Sequence, residues 1–275
     1  MLAESLGLPV ATVPRSTRYG IIVFMDIATL LGLLIGFGGI IFGNLIEGGH
    51  MSSLMQLTAF IIVFTGTAGA VMVSSSEHAL KTGLELAKKA FKRHESEAHS
   101  KLEDIVEYAR LAKKESILSL EPRIGKIGDP LMQNVLRNVV DGVDESVIRD
   151  IFETQIYTEE DELLSGAKIW ADAGGFAPTI GIIGAVLGLI HVMGNLTDTS
   201  KLGAGIAVAF VATVYGVASA NLLFLPMGNK IKKRVEDMTR EKMMVLEGGL
   251  MIAKGANHIV IEQKLRSYLP HASKA

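Results

Sequence analysis

The chain has 275 residues, is 49% hydrophobic, carries 27 Lys and Arg against 29 Asp and Glu, and contains no cysteine. Disulfides, thiolate metal sites and cysteine nucleophiles are therefore excluded, and a formal charge of −2 offers no net basic surface for nucleic acid. The apolar residues are clustered: four runs, at 21–46, 54–73, 176–194 and 202–225, are long enough to cross a bilayer core, which takes about 20 apolar residues. The expectation is an all-α integral membrane protein with four transmembrane helices and a large helical cytoplasmic domain.

Residues 1–20 hold Pro9, Pro14, Arg15 and Arg18 without helical periodicity and read as a cytoplasmic N-terminal tail. They are not the n-region of a signal peptide, because the apolar run that follows is too long and ends without a small-x-small cleavage site. Met25 is an alternative start. The first transmembrane hairpin occupies 21–73. Its first span repeats Gly32, Gly36, Gly39 and Gly43 at helical spacing, and Glu47-Gly-Gly-His-Met-Ser-Ser53 turns the chain into the second.

Residues 74–175 read as a cytoplasmic domain that is helical throughout. Leu80, Leu84, Ala87 and Phe91 predict one amphipathic stripe, and Leu102, Ile105, Val106, Ala109 and Ala112 another. Gly125, Gly128 and Pro130 mark a turn, and Asp141-Gly142 a second one. After it, Val147, Ile148, Ile151 and Phe152 resume an apolar face. Thr158, followed by Glu159, Glu160 and Asp161, has the pattern of a helix start with its N-cap, and that helix is expected to run on toward the third span. Lys113-Lys-Glu-Ser-Ile-Leu-Ser-Leu-Glu121 places charges at both ends of an apolar segment, which by pattern alone is a solvated helix face. His94, Glu95 and His99 do not match the spacing of a zinc motif. No phosphate-binding glycine loop and no nucleophile–base pattern stands out, so an enzyme and a cofactor are not expected.

The second transmembrane hairpin, 176–226, opens on Gly174-Gly-Phe-Ala-Pro-Thr-Ile-Gly-Ile-Ile-Gly-Ala-Val-Leu-Gly-Leu-Ile190. Gly181, Gly184, Ala185 and Gly188 share one helix face, and in lipid such a face lets backbones approach closely. The fourth span repeats the device with Gly205, Ala209, Ala212, Gly216 and Ala220. These stripes either pack the four spans on one another or face other copies of the chain. Pro178 stands at the start of the third span and Pro226 at the end of the fourth, so both fall near the same face of the membrane. They are either ordinary helix-end prolines or a paired hinge. Residues 227–275 read as one or two cytoplasmic helices ending at Pro270.

Orientation follows from charge. Segment 74–175 contains fourteen Lys and Arg and 227–275 ten, whereas the 46–53 connection has none and the 194–201 connection only Lys201. Positive-inside logic puts both termini and the large domain in the cytoplasm. No ionisable group sits at mid-depth in any span: Asp26, Glu47 and His191 are all near span ends, leaving hydroxyls such as Thr65, Thr67, Thr213, Tyr215 and Ser219. Either the protein moves nothing, or a partner supplies the carboxylate that ion transport needs.

Several segments resemble the MotA family of flagellar stator proteins. Phe176–Ile190 looks like its third-span signature, and Met25-Asp-Ile-Ala-Thr-Leu-Leu-Gly-Leu-Leu-Ile-Gly-Phe37 is similar to its start. Ala112–Glu121 resembles its cytoplasmic charged helix. Ala209-Phe-Val-Ala-Thr-Val-Tyr-Gly216 with Pro226 resembles its fourth span, and Val260–Pro270 its tail. The likeness spans about residues 25–270.

The resemblance implies a homo-oligomeric ring, a pentamer, in the bacterial inner membrane around the single spans of two MotB-type chains, whose aspartate carries the ion. It implies that Pro178 and Pro226 couple ion passage to movement, with Ala185, Thr213 and Tyr215 on the ion pathway. It also implies that Glu121 and one of Arg110, Lys113 or Lys114 engage the rotor protein FliG. Sodium-type relatives resemble Gly-Thr-Leu where this chain reads Gly184-Ala185-Val186. Ala185 offers no oxygen to a hard cation, so the proton is the expected coupling ion rather than sodium. The competing readings are an ExbB- or TolQ-like energiser of outer-membrane processes, which would have three spans and an outer N-terminus, and a membrane scaffold that transports nothing.

Overall fold

The computed structural model describes residues 27–91, 97–194 and 199–269. The tail at 1–20, Met25, Asp26, His94, Glu95 and Pro270 lie outside these residues. Helix and turn account for the described chain without a strand. The elements are α1 (Ile27–Ile46), a one-turn α2 (Met51–Leu54), α3 (Leu57–Ser74), α4 (Glu77–Ala90), α5 (Ala98–Glu115), a 3-10 turn at Ile117–Leu120, α6 (Glu121–Ile124) and α7 (Pro130–Val140). Then come α8 (Glu145–Met193), α9 (Thr199–Ser219), a π segment (Ala220–Phe224), α10 (Leu225–Ala253), α11 (His258–Leu265) and a final 3-10 turn (Arg266–Tyr268). Four of the resulting helical stretches are long and apolar enough to cross a membrane.

The spine is α8, whose 49 residues extend about 73 Å at 1.5 Å each. Its start differs from the expectation at Thr158, which lies exposed in mid-helix. Asp144 is the N-cap instead, accepting the Ser146 N–H at 2.8 Å. The helix is buried on both sides of this point, at Ile148, Phe152 and Ile156 before Thr158 and at Ala167 and Ile169 after it. Glu159, which suggested an N-terminal acid, forms an ion pair with Lys242 of α10. A local start signal thus yields to packing of the same helix on both sides of it.

Two predicted stripes are redrawn. In α4 the buried positions are Ala79, Gly83, Leu86, Ala87 and Ala90, while Leu84 is exposed. The cause is a close approach to α8: Gly83 and Gly166 meet backbone to backbone, and Trp170 donates its indole N–H to the Gly83 carbonyl at 3.0 Å. Among the four residues expected after the Asp141 turn, Ile148 and Phe152 are buried, but Val147 and Ile151 are about half exposed. The α5 stripe holds, with Leu102, Ile105, Val106 and Ala109 buried. Both turns also hold: α7 starts at Pro130 behind the capping Asp129, and Gly142 turns the chain with φ +73°.

The largest core joins α5, α7, the first turns of α8, the end of α10 and α11 around Ile105, Leu136, Ile148, Leu246, Leu250 and Leu265. At its edge Lys101, only 18% exposed, lies 2.5 Å from Asp129 and 2.7 Å from Glu241. Burial opposes its charge, but the two carboxylates outweigh that and raise its pKa. Burial likewise works against ionised Asp129, yet Lys101 and the Met132 N–H hold its pKa below the usual carboxylate value. The stabilisation from Asp129 is therefore present at neutral pH and is lost as pH falls through its depressed pKa. Smaller apolar clusters continue the packing along α8 toward the spans, ending with Ala59, Val63, Val211 and Ala212.

Candidate functional site

Within the apolar half of the molecule, α8 and α9 lie antiparallel and touch through their small residues. A Cβ placed on Gly181 would lie 2.8 Å from the Ala212 carbonyl oxygen, and one on Gly188 would lie 2.9 Å from the Ala209 nitrogen. One on Gly216 would overlap the Ala177 carbonyl oxygen. The stripes of the third and fourth spans are consumed by each other. The first span is different. No residue of α1 is buried, and nothing lies within 4 Å of a Cβ built on Gly32, Gly39 or Gly43. Only Gly36 approaches a neighbour, Leu222.

Ala185 is half-buried, one turn beyond Gly181 on α8. The Thr213 Cα would lie 3.4 Å from a Cβ on Gly181, so Thr213 and Ala185 border the same seam. The Thr213 hydroxyl is turned back on its own helix, donating to the Ala209 carbonyl at 3.4 Å. Tyr215 is anchored at the junction of two elements. Its hydroxyl donates to the Leu54 carbonyl and accepts the Gln56 N–H at 3.3 Å, tying the α2–α3 junction to the fourth span. Thr65 and Ser219 bond to carbonyls of their own helices, at 2.6 and 3.2 Å. Thr67 is 2% exposed, and its hydroxyl has no partner among the described residues.

Neither proline interrupts the helical rod in which it sits. Pro178 lies inside α8, which continues through it. Lacking an N–H, it cannot satisfy the Gly174 carbonyl one turn earlier. Pro226 sits at the start of α10, directly after the π segment. A proline ring clashes with the carbonyl four residues back, here Leu222 in the middle of that segment, and the wider π turn relieves the conflict. The pairs Gly181–Gly216 and Gly174–Leu225 set the register of the two rods. In that register Pro178 stands level with about Ser219, and Pro226 lies roughly two turns nearer the helical domain.

The charged segment 113–121 is not a single helix face. At Ser116 φ is +126°, a conformation that L residues rarely adopt. There α5 stops and the chain reverses through the 3-10 turn into α6. The reversal seats Leu120 in the core at 1% exposure, which a straight helix carrying Lys113 and Lys114 on its surface does not achieve. Arg110, Lys114 and Glu121 are exposed. Lys113 is also exposed but is engaged, donating to the Gly255 carbonyl at 2.9 Å. Gly255, with φ +66°, closes α10 in a Schellman motif: its N–H reaches Ile252 and that of Ala256 reaches Met251. Sequence reasoning missed that role, although Gly255 after a long amphipathic stretch is a C-cap signal.

Residues 123–244 match the MotA/TolQ/ExbB proton channel family, and residues 30–116 match the motility protein A N-terminal family. The chain is 34% identical over 245 residues to motility protein A of Helicobacter pylori, a match covering 89% of this chain and 95% of that one. Its fold is similar to that in the structure of C. jejuni MotAB, with a TM-score of 0.85, 32% identity, and coverage of 90% of this chain and 97% of that one. It is also similar to the flagellar MotAB stator complex from Bacillus subtilis, with a TM-score of 0.80, 33% identity, and coverage of 89% and 97%. A chain similar to these relatives along nearly all of its length, first hairpin included, belongs to the motility protein A family of flagellar stator subunits.

Proposed function

We propose that copies of this subunit form a pentameric ring in the bacterial inner membrane, with both termini and the helical domain in the cytoplasm. The ring encloses the single spans of a MotB-type partner, whose aspartate carries protons past α8 and α9. The observation that carries this reading is the contrast within the spans. The apolar stretches at 27–46, 54–73, 176–194 and 202–225 hold no carboxylate, α8 and α9 are spent on each other, and Gly39 and Gly43 of α1 meet nothing in their own chain. A transporting assembly of such chains needs a carboxylate from a partner and surfaces for neighbouring copies. The solved relatives are complexes with MotB, as their titles state, which supports such a partner here. Ala185 carries no oxygen ligand, which favours protons over sodium.

The test is flux. Membrane vesicles containing this chain and its partner should take up protons, and replacing the partner aspartate with asparagine should stop them. An assembled complex that passes no protons under any gradient would leave the scaffold reading in place.

Torque is delivered to FliG through the exposed charges beside the Ser116 reversal. Glu121→Lys is expected to reduce torque and stator recruitment while proton conduction and the melting temperature of the domain stay unchanged. Lys113→Glu should reduce torque and also lower the melting temperature, because it loses the bond to Gly255. Single exposed charges contribute little, about 0–1 kcal/mol, so the pair of reversals should exceed either alone. Normal torque and recruitment in the double variant would remove these residues from the rotor interface.

A further inference from the structure

We propose that the groove between α1 and the start of α10 binds one anionic glycerophospholipid of the leaflet facing the helical domain. A cavity of about 290 Å³ lies there, walled by Ala28, Gly32 and Leu33 on one side and by Leu222, Leu223 and Pro226 on the other. The walls are apolar apart from Thr29 and Asn221. Lys230 stands at the end nearest the helical domain and reaches across to the Thr29 hydroxyl. Pro226, Lys230 and Lys233 follow at spacings of four and three, which puts both lysines on one face of α10, Lys230 lining the cavity and Lys233 one turn beyond it.

Charge identifies the occupant. Between Asn229 and Asp237 the helix carries Lys230, Lys232, Lys233 and Arg234 against Glu236 and Asp237. Asp237 is shared between Lys233 and Arg240, at 3.2 Å from each, and so does not neutralise the cluster. Arg234 is turned toward α4, where it donates to the Lys89 carbonyl. Lys232 and Lys233 are exposed. The stretch from Gly203 to Asn229 carries no charge, so these cations begin where the apolar span stops. A molecule that fills an apolar groove along its length and meets lysines at one end has acyl chains and an anionic head. Basic clusters directly beyond a membrane helix attract such lipids. A phosphodiester beside Lys230 and Lys233, with a chain lying over Gly32, satisfies both halves of the site.

The proposal rests on the assignment of the spans but not on ion conduction. Its test is native mass spectrometry of the detergent-solubilised complex of full chain and partner, titrated with phosphatidylglycerol or phosphatidylcholine. Phosphatidylglycerol should be retained in preference to phosphatidylcholine. The double substitution Lys230→Gln/Lys233→Gln should weaken that retention about 25-fold, at roughly fivefold per lysine near a membrane surface. Gly32→Phe should also weaken it, because Gly32 lines the cavity and nothing lies within 4 Å of a Cβ there, so the side chain is tolerated at its base and takes up room in the groove. Equal retention of the two lipids, or retention unchanged in both variants, would overturn the proposal. A photo-crosslinker at position 32 that captures a second copy of the chain instead of lipid would do the same. Lipid binding without proton flux would refute the function proposed above and leave this site standing.

Discussion

Gly216→Val is expected to abolish motility and to deplete the subunit from the membrane. The added side chain has no room, since its Cβ alone overlaps the Ala177 carbonyl oxygen and comes within 3.2 Å of the Gly181 Cα. These are backbone atoms of a continuous helix, so no side chain can rotate aside. Either the two rods separate or α8 bends. Overpacking of this kind costs about 1–3 kcal/mol, more where nothing yields, and that is a large share of a typical stability. Separation would also take apart the seam bordered by Ala185 and Thr213. Gly69→Val is the matched control, because a Cβ there meets nothing within 4 Å. Immunoblotting of membranes together with swimming assays checks the pair. Normal levels and normal motility of Gly216→Val would show that the α8–α9 seam is not packed as described.

Pro178→Ala is expected to act in the opposite way on stability and in the same way on function. Alanine supplies an N–H for the Gly174 carbonyl and removes the ring, relieving a helix defect that costs about 3 kcal/mol. The variant should assemble and resist heating at least as well as the parent chain, yet drive swimming poorly or not at all. The two rods each carry one irregularity, Pro178 in α8 and the π segment before Pro226 in the other, at neighbouring levels. As a paired hinge they would give the junction between span and helical domain a second conformation at low cost. A more stable chain with a weaker motor separates this role from a folding role. Normal swimming by the variant would end the hinge assignment.

Much of this architecture is legible in the residues. Four apolar runs give the spans, and glycine and alanine at intervals of three and four mark the faces that pack closely, though not that those of α8 and α9 meet each other. What escaped has physical causes. Thr158 with its three acids satisfies every local rule for a helix start, but the same helix is buried on both sides of it, up to Ile156 and from Gly166 onward, and burial outweighs capping. Ser116 breaks the charged helix because Leu120 is drawn into the core, a demand set by distant α7 and α10 residues. The Lys101 network, the bond from Lys113 to Gly255 and the attachment of Tyr215 to Leu54 join residues between 28 and 161 positions apart, and no local pattern encodes such pairings. The π segment could have been anticipated, since Pro226 implies a conflict at the Leu222 carbonyl.

The central claim is that this subunit turns a motor with protons. The direct measurement is the rotation of single motors powered only by this chain and its partner, at fixed membrane potential, while sodium and proton gradients are varied independently. Rotation should persist in sodium-free medium and stop when a protonophore collapses the proton gradient. Ala185→Thr alone should not confer dependence on sodium, because a dehydrated sodium ion needs a full shell of oxygen ligands. Rotation that rises with sodium concentration at constant pH and potential would contradict the account.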